Sequence, residues 1–374
     1  MTFVGCDLHT RQQQVAVLDT TTGEIHEQQL PHEGTTVEDF SAALPRPVTV
    51  GIESTGYAIW FHTLLQRLGH TVLVGDAAKI RAMVVRKTKT DRRDARHILD
   101  LLRHDRFPTI WLPDPATREL RAVLMHRLRL VRIQTMLKNG VQALALNQGL
   151  VRGSKLLRRA GLAQLGTLPL PPSAAQRRDQ SLDLLGTLRT HLAHLDEAIA
   201  AAALAHPEAP RLLTHPGVGP LTALATVVVL GTVSRFPDSK HVVSYVGLAP
   251  TLNASADKYR LGKITKQGST LLRFVLGQAA AHAARLDPDL IRTYRTLAPR
   301  RGRSKARVAV ARKLLVRLFI MLRDHIDYDE FRRRGRAPAA APGSGGCALT
   351  PASHRHSFQC GRARSDSWSA MTAH

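Results

Sequence analysis

The pattern of apolar and polar positions divides the chain into a strand-rich first part and a helical remainder. Residues 2–9 (TFVGCDLH), 13–18 (QQVAVL) and 24–30 (EIHEQQL) read as short strands, and the Thr-Thr-Gly at 21–23 between the last two is a hairpin signal. The first three strands are therefore an antiparallel meander. A helix over 35–44 follows, capped by Thr35 or Thr36. The continuous apolar run of residues 47–53 (PVTVGIE) then marks a strand covered on both faces. A helix (57–68), a strand (71–75) and a helix that opens at Asp91 behind Thr90 complete this part. Three antiparallel strands followed by alternating helix and strand describe a mixed sheet in an α/β domain. Crossovers make the first, fourth and fifth strands parallel, with their carboxyl ends at one edge.

After Pro113 and Pro115 the pattern turns helical. Residues 116–146 are rich in Leu and Arg, and Leu182, Leu185, Leu188, Leu192, Leu195 and Ile199 recur at spacings of three and four. Such a seam packs on another helix, in the same chain as an antiparallel hairpin or in a second chain as a coiled coil. Residues 149–180, with their Gly, Pro and Arg, read as a basic connecting tip. A second globular region opens near Leu212. There His215-Pro-Gly-Val-Gly219 and an apolar helix (221–231) resemble a helix-hairpin-helix element, and a polar, glycine-punctuated stretch (244–269) reads as loop. A helix from Thr270 and an Arg-rich helix over 303–325 close the region, the latter with Val308, Leu315, Leu318 and Leu322 on its apolar side. Beyond about residue 332 the chain is too poor in apolar residues to fold alone. The expected divisions are 1–112, 113–205, 206–330 and a disordered tail, 331–374.

Composition narrows the function. In 374 residues, 53 Lys and Arg against 29 Asp and Glu give a formal charge of +24, which selects a polyanion partner. Nucleic acid is the first choice and an anionic membrane surface the second. No run of about 18 apolar residues and no signal peptide occurs, so the expectation is a cytoplasmic, nucleoid-associated protein without a membrane partner. Cys6, Cys347 and Cys360 lack the spacing of a disulfide framework or a zinc site.

The candidate chemistry lies in acids. Asp91 and Asp94 are three apart and share a helix face. Acids in a first helical turn also suit the helix dipole and need no further role. Asp7 and Glu53, however, end strands at the edge past which that helix returns. Clustered carboxylates repel one another unless cations occupy them, and oxygen ligands favour Mg²⁺ or Mn²⁺ over zinc. Asp19 ends a strand at a turn, which accounts for it. The basic residues around the aspartates, Lys87, Lys89, Arg92 and Arg93 among them, would bring a phosphate backbone to the metal without choosing a sequence. Gly217 and Gly219 allow a turn whose backbone N–H groups can meet a phosphate. Ser255, by composition, is a turn former.

The acid arrangement resembles the RNase H-like fold, and within it the RuvC-like branch. The motifs GCDLH, GIESTG, KTDRRDA, HPGVGPLTA and GLAP, with RLGKITKQGSTLLR after them, resemble the DEDD-type insertion-sequence transposases over roughly residues 1–325. That resemblance implies an α/β plus α chain: a RuvC-like mixed-sheet domain, a helical coiled-coil linker and a mainly α C-terminal transposase domain. It implies metal binding by Asp7, Glu53, Asp91 and Asp94, and a serine nucleophile at Ser255 that forms a covalent DNA intermediate. Relatives often carry glycine after that serine, whereas Ala256 follows here, so Ser244 and Ser269 stand as alternates. Arg260, Lys263 and Lys266 would neutralise the phosphate. The implied partners are DNA, a structured bridge RNA that serves as guide, and further copies of the chain in a dimer or tetramer. The competing readings are a junction-resolving endonuclease that uses water in place of Ser255, and a nucleic-acid-binding protein without catalysis.

Overall fold

The computed structural model describes residues 2–84, 90–151, 155–255 and 258–336. Its first part is a five-stranded mixed sheet with strands β1 (Thr2–Leu8), β2 (Gln12–Asp19), β3 (Ile25–Pro31), β4 (Val48–Glu53) and β5 (Thr71–Gly75), in the order β3-β2-β1-β4-β5. As the pattern predicts, β1 to β3 pair antiparallel while β1, β4 and β5 run parallel. The helices of this part are α1 (Thr36–Ala43), α2 (Ile59–Arg67), α3 (Ala77–Ala82) and α4 (Asp91–Arg103). Helix α3 has little apolar periodicity and was not expected from the pattern; the Asp76 carboxylate caps it by accepting from the N–H groups of Ala78 and Lys79.

Strand alternation assigns the two faces. Val4, Cys6 and Leu8 of β1 and Val48, Val50 and Ile52 of β4 share a core with Val37 of α1 and with Phe61 and Leu65 of α2. The intervening positions, Phe3 and Gly5 of β1 and Gly51 of β4, meet α4 on the other side, where Ala95, Ile98, Leu99 and Leu102 are buried.

Helices α5 (Pro115–Leu146), α6 (Arg159–Gly166) and α7 (Pro172–Ala205) form the arm. Leu124 and Leu128 of α5 lie in one cluster with Ile199 and Ala203 of α7, and Val141 and Ala145 pack with Leu182. The two long helices are thus antiparallel, and the leucine seam finds its partner within the chain. The segment 149–180 is not simply a connecting tip: α6 and the first turns of α7 occupy much of it, since Pro172 at the first helical position lacks only an N–H that no helical carbonyl would accept.

The C-terminal body comprises α8 (Ala209–Leu213), α9 (Pro220–Leu230), α10 (Ser239–Val246), β6 (Pro250–Ser255), β7 (Lys258–Ile264), α11 (Thr270–Leu286), α12 (Pro288–Arg301), α13 (Arg303–Arg323) and α14 (Tyr328–Arg336). Helix α9 is buried from Thr222 to Leu230, and α10, α11 and α13 close around it in one core. Residues 250–264, expected as loop, pair instead as an antiparallel hairpin. β-Formers such as Thr251, Tyr259 and Ile264 outweigh the polar, glycine-bearing composition that suggested a loop. Val308, assigned to the apolar side of α13, is exposed; Val310, Ala311 and Leu314 fill the core with Leu315, Leu318 and Leu322. Helix α14 carries regular structure to Arg336, past the expected boundary at 331, while the expected disordered tail from 337 lies outside the described residues.

Two arginine clusters tie these parts together. Arg121 of α5 donates to the carbonyls of Val228 and Val229 at the end of α9, satisfying groups a helix terminus leaves open. Arg235 stands over the rings of Trp111, Phe236 and Tyr245, at 4.5, 4.1 and 4.4 Å from their centroids.

A buried polar network pins the last helices to the turn before α9. The Asp287 carboxylate, inaccessible to solvent, accepts from the Leu290 N–H at 2.8 Å, from Arg317 at 2.5 Å and from the Tyr328 hydroxyl. The Tyr328 N–H donates to Thr214 Oγ1, and its ring lies 4.6 Å from that of His215. Burial raises the Asp287 carboxyl, but the hydrogen bonds from Tyr328 and Leu290 and the Arg317 charge overcome it and hold the group below its usual range. Burial pushes His215 down from 6.5 to about 4. At these two groups the folded state therefore binds fewer protons than the unfolded one, at His215 below pH 6.5 and at Asp287 in the carboxylate range. The His215 contribution to stability is lost as pH falls from 6.5 toward 4, and that of Asp287 as pH falls further, through its depressed folded value. Asp287→Ala, which takes the buried acceptor from Arg317 and the Tyr328 hydroxyl and leaves Arg317 only the exposed Asp289, should cost about 3–5 kcal/mol in denaturant unfolding at neutral pH. Val308→Ala should stay within about 0.5 kcal/mol.

Candidate active site

Asp7 and Glu53 lie at the carboxyl edge of two neighbouring parallel strands, and Asp91 and Asp94 come to Asp7 from a helix. Cys6 pairs with Ile52, so the next residues, Asp7 and Glu53, end β1 and β4 side by side. By alternation both fall on the face that Gly5 and Gly51 open to α4. Helix α4 begins at this edge with Asp91 and Asp94 in its first turn, and Thr90 caps it by accepting from the Arg93 N–H. Asp91 and Asp94 continue the stripe of Ala95, Ile98 and Leu102 that packs on the sheet, so the packing that buries the apolar residues also brings the acids in.

Two glycines set the depth of this approach. A Cβ on Gly5 would stand 2.3 Å from the Ala95 carbonyl oxygen and 2.5 Å from the Leu99 nitrogen, and one on Gly51 would stand 2.7 Å from Leu102 Cδ1. The backbone of α4 can lie against β1 only because position 5 has no side chain.

His9 completes the cluster. Its Nε2 lies 3.1 Å from Asp7 Oδ2 and 3.3 Å from Asp91 Oδ1. One ligand atom from each of Asp7, His9 and Asp91 falls within 4.8 Å of the others, a spacing that can hold a cation. Asp7 is buried, and its carboxyl is raised above the usual range, first by desolvation and then by the charges of Asp94 and Asp91, against a lowering by His9. Carboxylates that raise one another's proton affinity are also those that a divalent cation would relieve, so the donor set fits a hard cation with one imidazole added. The histidine was not singled out from the sequence. Its signal was its place two residues after Asp7, which alternation puts on the same side.

The remaining candidates are spread more widely. Ser255 ends β6, its backbone paired with Lys258, on the small second sheet. The hairpin is anchored in the C-terminal body through the Thr265 N–H to the Ala249 carbonyl and the Lys266 N–H to the Gly247 carbonyl. Ser269 Oγ accepts from the Leu272 N–H as the cap of α11, and Ser244 is exposed near the end of α10.

Residues 209–295 match the family described as Transposase IS116/IS110/IS902, and residues 4–148 match the DEDD transposase family of the same IS110 group. Among known proteins, the chain is 30% identical over 290 residues to a probable family 20 transposase of Pseudomonas aeruginosa, covering 75% of this chain and 84% of that protein. The chain belongs to the IS110 family of transposases. It is also 30% identical to the transposase for insertion sequence element IS1111A of Coxiella burnetii, over 61% of this chain and 65% of that one. A pilin gene-inverting protein of Moraxella lacunata is 29% identical over 122 residues, 32% of this chain and 38% of its own. Membership implies an activity that cuts and rejoins DNA, and the acid cluster is suited to divalent metal.

In this transposase one of the basic candidates, Arg92, also has a structural contact. Arg92 is engaged with Glu27 of β3, whose side chain is 5% accessible, and Arg96 lies 3.6 Å from the same carboxylate. Arg92 thus links α4 to the sheet with its own side chain 73% exposed, and Arg93 is exposed as well; Lys87 and Lys89 lie outside the described residues. Arg260, Lys263 and Lys266 are exposed along and after β7, and Lys266 adopts a left-handed φ of 58°. Gly217, at φ 86°, lies against α11, where a Cβ would come 2.5 Å from the Ala283 nitrogen. Packing explains Gly217, whereas Gly219 is exposed at the start of α9. Among the described residues no helix is long and apolar enough to cross a membrane.

The Gly5 contact yields a test. Gly5→Ala should push α4 outward and lower Mn²⁺ affinity by about 10-fold or more, as loss of ligand support does. Gly56→Ala, with nothing within 4 Å of the added carbon, should leave it unchanged. Titration calorimetry on both variants, checked for folding by thermal melting, measures the difference.

Proposed function

We propose that the chain is a metal-dependent DNA strand-exchange enzyme in which Asp7, Glu53, Asp91 and Asp94 hold Mg²⁺ or Mn²⁺ and Ser255 is the nucleophile. The observation that carries this reading is the convergence of Asp7, Asp91 and His9 at one strand edge, with the Asp7 carboxyl raised by its acidic neighbours. Divalent metal bound there would polarise the scissile phosphate and stabilise the attacking and leaving oxygens. The Ser255 oxygen forms a bond to phosphorus as the strand oxygen leaves, so the energy of the phosphodiester is kept in a protein–DNA ester and is available for rejoining. Hydrolysis would discard it. The first domain, about residues 1–112, is read as RuvC-like, the arm to 205 as a coiled-coil linker, and the turn before α9 as a helix-hairpin-helix-like phosphate contact through Gly219.

Exposed Arg292, Arg295, Arg300, Arg301, Arg303 and Lys305 at the corner of α12 and α13 add a basic surface on the C-terminal body. A surface of that spread suits a large folded RNA, which would supply the sequence choice that backbone contacts lack. RNA-free protein should then bind DNA with steep salt dependence and little sequence preference. Tight, site-specific binding without RNA would remove the guide from the proposal.

The water-using endonuclease keeps one supporting observation: Ser255 lies on a different sheet from the acids. A shared site would need the two parts side by side, in one chain or between copies in a dimer or tetramer. The assay that separates the readings is denaturing electrophoresis after incubation with DNA, RNA and Mg²⁺. Asp94→Asn should abolish cleavage while leaving binding. Ser255→Ala should abolish the covalent adduct with folding intact, Ser244→Ala should retain the adduct, and Ser269→Ala should retain it at a cost of about 1 kcal/mol for the lost cap. Cleavage by wild type with no adduct would favour water as the nucleophile.

A further inference from the structure

One donor at the reactive edge differs in kind from the acids. Carboxylates offer only oxygen, which Mg²⁺ and Mn²⁺ both accept. His9 brings a nitrogen. Its Nε2 lies between two carboxylates, 3.1 Å from Asp7 Oδ2 and 3.3 Å from Asp91 Oδ1. The chain fixes the backbone on both sides of this imidazole. The His9 N–H donates to the Gln12 carbonyl at 3.0 Å, closing the turn from β1 into β2. The carbonyl of Leu8, one residue earlier, accepts from the Tyr57 hydroxyl at 3.2 Å. A donor held in this way gives up little freedom when a cation binds it. The ring is 37% exposed, so an ion has access to it.

An imidazole beside a carboxylate is often no more than an exposed ion pair of small worth. His26, 3.5 Å from Glu24 with both side chains largely exposed, is a pair of that kind. His9 differs in meeting two carboxylates from separate elements, β1 and α4, one of them on the buried Asp7. Three ligand atoms that converge within 4.8 Å suit one ion with mixed nitrogen and oxygen ligands. Mg²⁺ keeps its waters and favours oxygen in a near-ideal octahedron, so a nitrogen gains it little. Mn²⁺ takes carboxylate oxygen as readily and, as a transition ion, also bonds imidazole.

We propose that His9 Nε2 is a ligand of the cation shared by Asp7 and Asp91, and that it makes this site prefer Mn²⁺ to Mg²⁺. The inference rests on the reading of the acid edge as a metal site. It adds a ligand outside the four acids and a choice between two ions that those acids alone would leave open.

The test uses the untagged full chain, with Mn²⁺ and Mg²⁺ titrated separately by calorimetry and the bound Mn²⁺ read by electron spin-echo modulation. Wild type should bind Mn²⁺ the more tightly, and the echo should carry the modulation of a directly bound ¹⁴N nucleus. That signal is read in the unaltered protein and needs no variant to fold. His9→Gln sets an amide oxygen near the place of Nε2. It should lower Mn²⁺ affinity about 10-fold, leave Mg²⁺ affinity nearly unchanged and erase the nitrogen signal. His26→Gln should alter none of the three. A histidine that serves only as counter-charge predicts the opposite: no nitrogen signal in wild type, and both ions bound as well or better once His9→Gln frees the two carboxylates. That result overturns the His9 ligand and leaves the metal site standing. Failure of wild type to bind either ion overturns both.

Discussion

Everything at the reactive edge depends on how closely one helix can lie on two strands. Helix α4 rests on β1 and β4 at Gly5 and Gly51, and its first turn then holds Asp91 and Asp94 against strand ends that already carry Asp7 and Glu53. The like charges oppose this arrangement, and the raised Asp7 carboxyl records the opposition. What overcomes it is apolar: Ala95, Ile98, Leu99 and Leu102 are each nearly or fully buried, and a buried aliphatic side chain contributes roughly 1.5–3 kcal/mol. Arg92 and Arg96 add a polar clamp on Glu27 from the outer side of the same helix. The site is therefore a strained electrostatic arrangement held by a hydrophobic one.

Positive charge in this chain has two uses that composition cannot separate. Arg121, Arg235 and Arg317 lie partly buried, bound to carbonyls, rings or Asp287, and act as struts. The α12–α13 corner keeps its cations exposed and facing water. Guanidinium suits the first use because its planar fork can stack on a ring and donate in fixed directions at once. A net charge of +24 therefore overstates the surface offered to a polyanion.

The sheet order and the acids were legible because each rests on local signals: a hairpin triplet, a continuous apolar run, a capped helix start. Asp91 and Asp94 were found from a three-residue spacing, and the structure sets them on the stripe that this spacing predicts. What escaped notice needed tertiary knowledge. Gly5 and Gly51 look like ordinary strand glycines until the helix above them is known. His9 looks like a strand-end polar residue until Asp91 arrives from elsewhere in the chain. The hairpin at 250–264 was read as loop because glycine and lysine are poor strand formers, and pairing between its two halves outweighed them. Asp287, the most deeply committed acid of the C-terminal body, sits in an Asp-Pro step that reads only as a helix start.

The β6–β7 hairpin has a consequence for timing. A two-stranded sheet is marginal by itself, and among the described residues no third strand joins this one. The residue proposed as nucleophile thus ends a strand of the two-stranded sheet, whereas Asp7 and Glu53 lie at the ends of two neighbouring inner strands of the five-stranded one. Under the proposal such a division would act as an interlock: the acid-bearing half stands ready made, and the half that would commit to a covalent bond would gain its final rigidity from the nucleic acid laid against it. An enzyme arranged in this way is spared idle nicks in DNA it has only brushed.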